Sequence, residues 1–399
     1  MLIRRRNPCI VEIDNELLPD LEAILSGTMR LRERTRVNLL CPISGRRLPL
    51  SPEELALVAR LETNAWREKN ELVRLHEVES VMLESLLERG ILLSDDEGSA
   101  MTSLREGEAR LETVGWHPLA AVYHGMTRWE GVVGDEGSRE HNDHAEQTRL
   151  QAHIDRHGAI AAHFPDSGPV LAHVELPDEP LQGELARILL SRKTTRHFDR
   201  TRSLPLHELS RILRGTFGAM GTQELAPGVV AVKRTSPSGG ALHPIEAYPL
   251  VMNVEGLASG LYHYRSGDHA LALLKAMTET QARSLASATT IAQHYFADAH
   301  ALVFHVARLE RHHWKYRRHP KAYKAVLLDS GHLSQTFYLL ATEQGLGAYY
   351  TAAINDADVG AALSLDPLSH IPIGANGLGI IEPSLQALHL QPAPWLPTR

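Results

Sequence analysis

The sequence predicts an α+β chain in two parts: a small α/β module, then a larger domain of helices and strands. Three observations carry this expectation. Well-signalled helices alternate with short apolar strands before residue 95. The stretch Ala301-Leu-Val-Phe-His-Val-Ala307 is continuously apolar, as a strand covered on both faces is. Helical and strand periods then alternate from residue 181 onward, without the regular βαβ repeat of a parallel sheet. A chain of 399 residues has room for two or three domains.

Composition narrows the function classes. The net charge of −7 argues against a general nucleic-acid binder. No apolar run is long enough to cross a bilayer, and Met-Leu-Ile-Arg-Arg-Arg-Asn7 has no apolar segment behind its charges, so a cytoplasmic protein without a secretory signal is expected. Cys9 and Cys41 have no metal-type spacing and predict no disulfide. Charge is uneven: residues 1–50 hold nine arginines against six acids, which leaves the remainder near −10. A basic start suits an acidic partner, or a solvated face.

The elements follow in order. Residues 8–14 read as a strand, 17–25 as a helix, and 37–41 with 47–50 as a hairpin around Ser44-Gly45. Ser51-Pro-Glu-Glu54 is a strong helix start, with serine at the N-cap, proline at the first position and glutamate at the third. A second helix over 77–89 ends at Gly90, and Ile91-Leu-Leu93 forms a short strand. Between 94 and 180 there is no clear period. His141, His144, His153, His157 and His163 cluster there, but Ile154 stands where a zincin helix needs glutamate, so they read as surface or core residues and no metal site is expected. Residues 172–180 read as a linker. Residues 206–217 form an amphipathic helix, 248–254 a strand, 260–264 with 269–274 a hairpin, and 282–296 a helix. Residues 311–320, densely cationic and aromatic, read as a loop. Residues 320–344 form a long helix, 348–353 a strand, and 370–379 a late strand and a glycine-rich turn. Gly374-Ala-Asn-Gly-Leu-Gly379 has no βαβ unit after it and is no dinucleotide fingerprint. The division expected is 1–95, a helical linker region 96–180, and 181–399.

Three short stretches carry chemistry. Ser191-Arg-Lys-Thr-Thr-Arg-His-Phe198 brings cations and hydroxyls together, as a phosphate-bearing ligand needs. Pro237-Ser-Gly-Gly240 is a turn whose backbone can approach a flat or anionic ligand closely. Trp314-Lys315-Tyr316 sets an ammonium beside a phenol, which favours the phenolate and makes a better proton acceptor. Each alone also fits ordinary surface: a polar helix end, a punctuating turn, a solvated basic patch.

Together they resemble the SagB-type dehydrogenases, flavin enzymes of the nitroreductase superfamily that mature ribosomally made peptides. Pro237-Ser-Gly-Gly-Ala-Leu-His-Pro244 is similar to their Pro-Ser-Gly-Gly-Ala-Leu-Tyr-Pro signature, and Leu327-Leu-Asp-Ser-Gly-His332 to their Leu-Leu-Asp-Ala-Gly-His. The resemblance runs from about Leu189 to Leu378, roughly half the chain. It implies a nitroreductase-like fold, a mixed sheet flanked by helices, that binds FMN through Arg192, Thr194, Arg196, Pro237, Ser238, Gly239, Gly240, Gly345 and Gly347. It implies Lys315 and Tyr316 as the catalytic pair for oxidising thiazoline or oxazoline rings. It also implies a homodimer through the long helix, a precursor peptide as substrate and a cyclodehydratase as partner. One departure stands out: Lys315-Tyr-Arg-Arg-His-Pro-Lys-Ala-Tyr-Lys324 is two residues longer than the family pattern, with lysine at both arginine positions.

The order helix, helix, glycine, short strand before residue 95 is winged-helix-like. It is similar to PqqD-like elements that bind a leader peptide as an added strand. A DNA-binding winged helix and a packing module remain open for the same residues. For the catalytic part, an NAD(P)H-dependent reductase of dehydroamino acids, nitro compounds or quinones remains open, as does a flavin-bound DNA-binding regulator.

Overall fold

The structure, a computed structural model, describes residues 1–134, 143–162, 168–177 and 179–383. Its N-terminal part combines two small sheets and four helices. β1 (Leu2–Arg5), β2 (Ile10–Pro19), α1 (Leu21–Leu25), β3 (Leu31–Cys41), β4 (Arg46–Pro49), α2 (Pro52–Arg60), β5 (Arg67–Glu68), α3 (Lys69–His76), α4 (Ser80–Glu88) and β6 (Leu92–Ser94) follow one another. The sheets have orders β5-β1-β6 and β2-β3-β4, all antiparallel. α2 starts with the expected capping box: the Glu54 N–H donates to Ser51 Oγ and the Ser51 N–H to the Glu54 carboxylate. Leu57, Val58, Leu72, Leu83 and Leu86 from the helices, with Ile91 just after α4, close over Ile3 and Leu39 from the strands. The strand expected at 8–14 extends to Pro19, so the helix expected over 17–25 shrinks to α1. Cys9 and Cys41 are both free thiols.

Next come α5 (Ser99–Val114), α6 (Pro118–Thr127) and α7 (Asp143–His157), where the sequence showed no period. Leu111, Val114, Trp116 and Ala121 join the same core as Leu209, Phe217, Val303 and Phe337 of the larger domain. On α7 the His153 and His157 rings lie 4.5 Å apart, and no metal-binding group of side chains occurs among the described residues. His141 and His163 lie outside the described residues.

The larger domain contains α8 (Glu184–Ser191), α9 (Leu206–Phe217), a hairpin of β7 (Gly221–Ala226) and β8 (Val229–Lys233), β9 (Ile245–Val251), β10 (Gly260–Arg265), β11 (Ala270–Ala276), α10 (Glu279–Thr289), α11 (His294–Asp298), β12 (Ala301–Arg308), α12 (Leu309–Tyr316), α13 (Ala322–Glu343), β13 (Gly347–Thr351), α14 (Asp356–Ala362) and β14 (His370–Gly379). Six strands form its sheet in the order β11-β10-β9-β12-β14-β13. Named strands pair antiparallel, and the bridges Thr194–Ala348 and Leu204–Val254 add parallel pairing. The α+β expectation with helices flanking the sheet holds. β12, buried from Ala301 to Ala307, is its centre, as its apolar run predicts.

Two local expectations are corrected. Residues 311–316 are not loop: they belong to α12, because His312 and His313 turn inward and are buried. Residues 374–379 are not a turn: they continue β14, where Gly377 leaves room for Tyr349, whose ring would lie 1.8 Å from an added Cβ. Residues 384–399 lie outside the described residues. No helix among those described is long and apolar enough to cross a membrane.

Candidate active site

The Pro237–Gly240 turn is anchored by a buried carboxylate. Asp329, on α13 and 3% exposed, accepts from Ser238 Oγ at 2.5 Å and from the Gly239 N–H at 3.0 Å. Ser238 Oγ also accepts from the His243 N–H at 2.9 Å. Hydrogen bonds to a charged acceptor are stronger than neutral ones, so this turn is set by α13 rather than by its own sequence. Gly240 has φ +63°, and Ala241 and His243 also take left-handed φ values of 57° and 46°. Such conformations in non-glycine residues cost energy and collect at functional sites.

The turn closes on the Lys-Tyr pair. A Cβ added at Gly240 would stand 2.5 Å from Tyr316 Oη and 3.2 Å from Lys315 Nζ. Lys315 Nζ lies 5.7 Å from the centroid of the Tyr316 ring. Beneath the tyrosine, one helical turn earlier, His312 is fully buried with its ring 5.1 Å from that of Tyr316. Its Nε2 lies 3.1 Å from the Ala322 carbonyl, so Nε2 carries the proton and donates. Burial pushes its pKa down, which keeps the ring neutral. Nδ1 is thus a buried acceptor with no hydrogen-bond partner among the described residues. Asp329 and His312 were not singled out from sequence: one sat in a helix motif, the other in a run that looked solvated.

The second group lies along β13. The Thr195 N–H donates to the Ala348 carbonyl at 2.9 Å, and Thr194 bridges Ala348. Gly347 permits this approach, since an added Cβ would meet Thr195 Cγ2 at 2.6 Å. Gly345, with φ +69°, ends α13, and the Leu346 N–H returns to the Ala341 carbonyl at 2.8 Å. Arg192 Cζ stands 5.3 Å over the Tyr338 ring, Thr194 Oγ1 is 3.3 Å from Tyr338 Oη, and Arg196 Cζ is 5.6 Å over the Tyr295 ring. Neither arginine has a carboxylate partner among the described residues. Each guanidinium lies over an aromatic ring with no acid beside it among the described residues, which suits an anion.

α13 links the two groups and also separates them. Asp329 and Tyr338 are nine residues apart, a rise of about 13.5 Å and about half a turn of phase. The structure therefore brings Pro237–Gly240 together with Lys315 and Tyr316, and Arg192, Thr194 and Arg196 together with Gly347. Within one chain it does not join the two groups. Between them runs an exposed stripe of α13 that includes Leu327, Leu328, Gly331 and His332. Nothing lies within 4 Å of a Cβ built on Gly331.

The tight approach at Gly240 gives a direct prediction. Gly240→Ala should leave the fold intact, because residue 240 is exposed, yet displace Tyr316 and strain the turn. Faster amide exchange at 312–316 with only a small drop in the thermal midpoint is the expected result, read by hydrogen exchange and by melting.

Comparison with known proteins finds relatives for the larger domain. Residues 189–380 match the nitroreductase family. MJ1384 of Methanocaldococcus jannaschii, named as a nitroreductase, is 29% identical over 50% of this chain and 95% of its own length. The trifolitoxin-processing protein TfxB of Rhizobium leguminosarum bv. trifolii is 31% identical over 34% of this chain and 36% of its own. The microcin B17-processing protein McbC of Escherichia coli is 29% identical over 39% of this chain and 58% of its own. The match thus covers less than two thirds of each of these two peptide-processing relatives. The resemblance to peptide-maturing nitroreductases read from the motifs is borne out.

Proposed function

From a nitroreductase-family domain at residues 189–380, we propose that this protein is an FMN-dependent dehydrogenase of SagB type, which oxidises thiazoline or oxazoline rings in a ribosomally made precursor peptide. The observation that carries the reading is the closure of the Ser238–Gly240 turn on Lys315 and Tyr316.

The residues present fit FMN. Gly239 and Gly240 let the turn backbone pack closely on Lys315 and Tyr316, and Arg192, Thr194 and Arg196 offer cations and a hydroxyl to a phosphate. Bound FMN would supply the two-electron acceptor for the ring. In this reading Tyr316 Oη takes the proton from the ring Cα, with the Lys315 ammonium beside it. Gain of aromaticity drives the step. His312 stands behind the tyrosine as a neutral support.

The two halves of the site flank the exposed stripe of α13, which supports a homodimer. A second copy seated on Leu327, Leu328 and Gly331 would set the glycine turn of one subunit beside the arginine group of its partner. In the N-terminal part, β2 stands at the edge of its sheet over ten residues, an open ladder that suits a leader peptide adding as a strand. Residues 1–95 would then recognise the peptide and 181–399 carry the chemistry, beside a cyclodehydratase that supplies the ring, in the cytoplasm.

A synthetic peptide holding one thiazoline tests this reading. Incubation with FMN-loaded protein and oxygen should remove two hydrogen atoms, seen by mass and by the absorbance of the aromatic ring. Rapid flavin bleaching by NAD(P)H with no change in the peptide would favour a reductase instead.

A further inference from the structure

We propose that Arg317 is a positioning residue, which locks the Lys315–Tyr316 segment onto the C-terminus of α5, a helix outside the nitroreductase-family region. The inference rests on the proposed role of Lys315 and Tyr316 and concerns how this chain holds them.

A helix ends with carbonyls that have no partner within it. α5 ends at Val114, with Gly115 at φ +81° as its cap. Four successive carbonyls there take donors from one short segment. Arg317 donates through Nη2 to the Glu112 carbonyl at 2.5 Å and through Nη1 to the Thr113 carbonyl at 3.1 Å. His313 lies with Nδ1 3.2 Å from the Val114 carbonyl, and the Arg318 N–H donates to the Gly115 carbonyl at 2.8 Å. The stem of Arg317 lies on Gly115, where an added Cβ would meet its Cγ at 2.6 Å. Arg318 also pairs with the Glu112 carboxylate. A guanidinium at a helix C-terminus is favoured by the helix dipole as well as by the bonds. Tyr316 is therefore pinned on both sides, by His313 before it and Arg317 after it.

The fixing helix is itself held by the N-terminal part. Glu108, about two turns before the cap, accepts from Arg4 Nη2 at 2.5 Å and from the Asn7 N–H at 2.6 Å. Arg110 bonds Glu310 of α12 at 2.8 Å. The segment that sets this chain apart, two residues longer than the family pattern after Lys315, is the one that reaches α5. Residues before 189 thus complete the catalytic centre by holding it, besides any part in recognition.

The test compares Arg317→Met with the full-length, FMN-loaded wild type, using the thiazoline peptide. Residue 317 is exposed, so the variant should fold. We expect unchanged FMN content and KM, a kcat lowered by about tenfold or more, and backbone amides of 313–318 exchanging about tenfold faster, with those of β12 unchanged. Arg317→Lys should recover part of kcat, since an ammonium still favours the helix end. Unchanged exchange at 313–318, or a loss of protection that extends to β12, would overturn the proposal. If the wild type does not turn over the peptide, the functional reading fails, and the exchange comparison still decides whether Arg317 holds this segment.

Discussion

Tyr316→Phe is expected to lower turnover of a thiazoline peptide by about 10²–10⁴-fold, the usual worth of a positioned proton acceptor, with FMN still bound. The change removes one oxygen, the atom 2.5 Å from the place a Gly240 side chain would occupy. The ring keeps its contacts with His312 and His319, so its packing survives. A structural role for the hydroxyl would show in the melting curve, because Tyr316 would then lose a bond on which the fold depends. No hydrogen bond from Tyr316 Oη to a described residue occurs, so an unchanged midpoint with a collapsed kcat is the predicted pair. Full turnover by the variant would remove Tyr316 from the mechanism.

Asp329→Ala should act on both stability and cofactor. The carboxylate is almost wholly buried and accepts two hydrogen bonds from the turn. Its removal strands the Ser238 hydroxyl and the Gly239 N–H, and two bonds to a charged group are worth about 3 kcal/mol together. A change of this size should appear in the denaturant midpoint, with flavin released at the same time because the Ser238–Gly240 turn is no longer held. Asp329→Asn keeps the shape and one acceptor, and should fall between. A variant that keeps both its midpoint and its flavin would show that the turn needs no anchor from α13.

Much of the frame was legible because strong local signals agree with the packing. The capping box at Ser51–Glu54, the apolar run of β12 and the long helix from about 320 all read directly. What escaped the sequence was made by tertiary contact. α5 carries Arg105, Glu106, Glu108 and Glu112 among few apolar residues, and Gly107 sits in its middle; that glycine is where Ile43 packs, within 2.8 Å of an added Cβ. Hydrophobic periodicity does not see such a helix. α12 escaped for the opposite reason: its run of histidines and cations looks solvated, yet His312 and His313 are buried against Ala322 and Val114. The site motifs were legible one by one, and their grouping was not. Two of them meet around Asp329 and two around Tyr338, because a single helix carries both anchors about half a turn out of phase.

The most direct test of the central claim is the visible spectrum of the purified full-length protein, followed by identification of any flavin released on denaturation. The account predicts FMN at about one per chain, taken up from solution if lost in preparation. A colourless protein that binds no added FMN would contradict it.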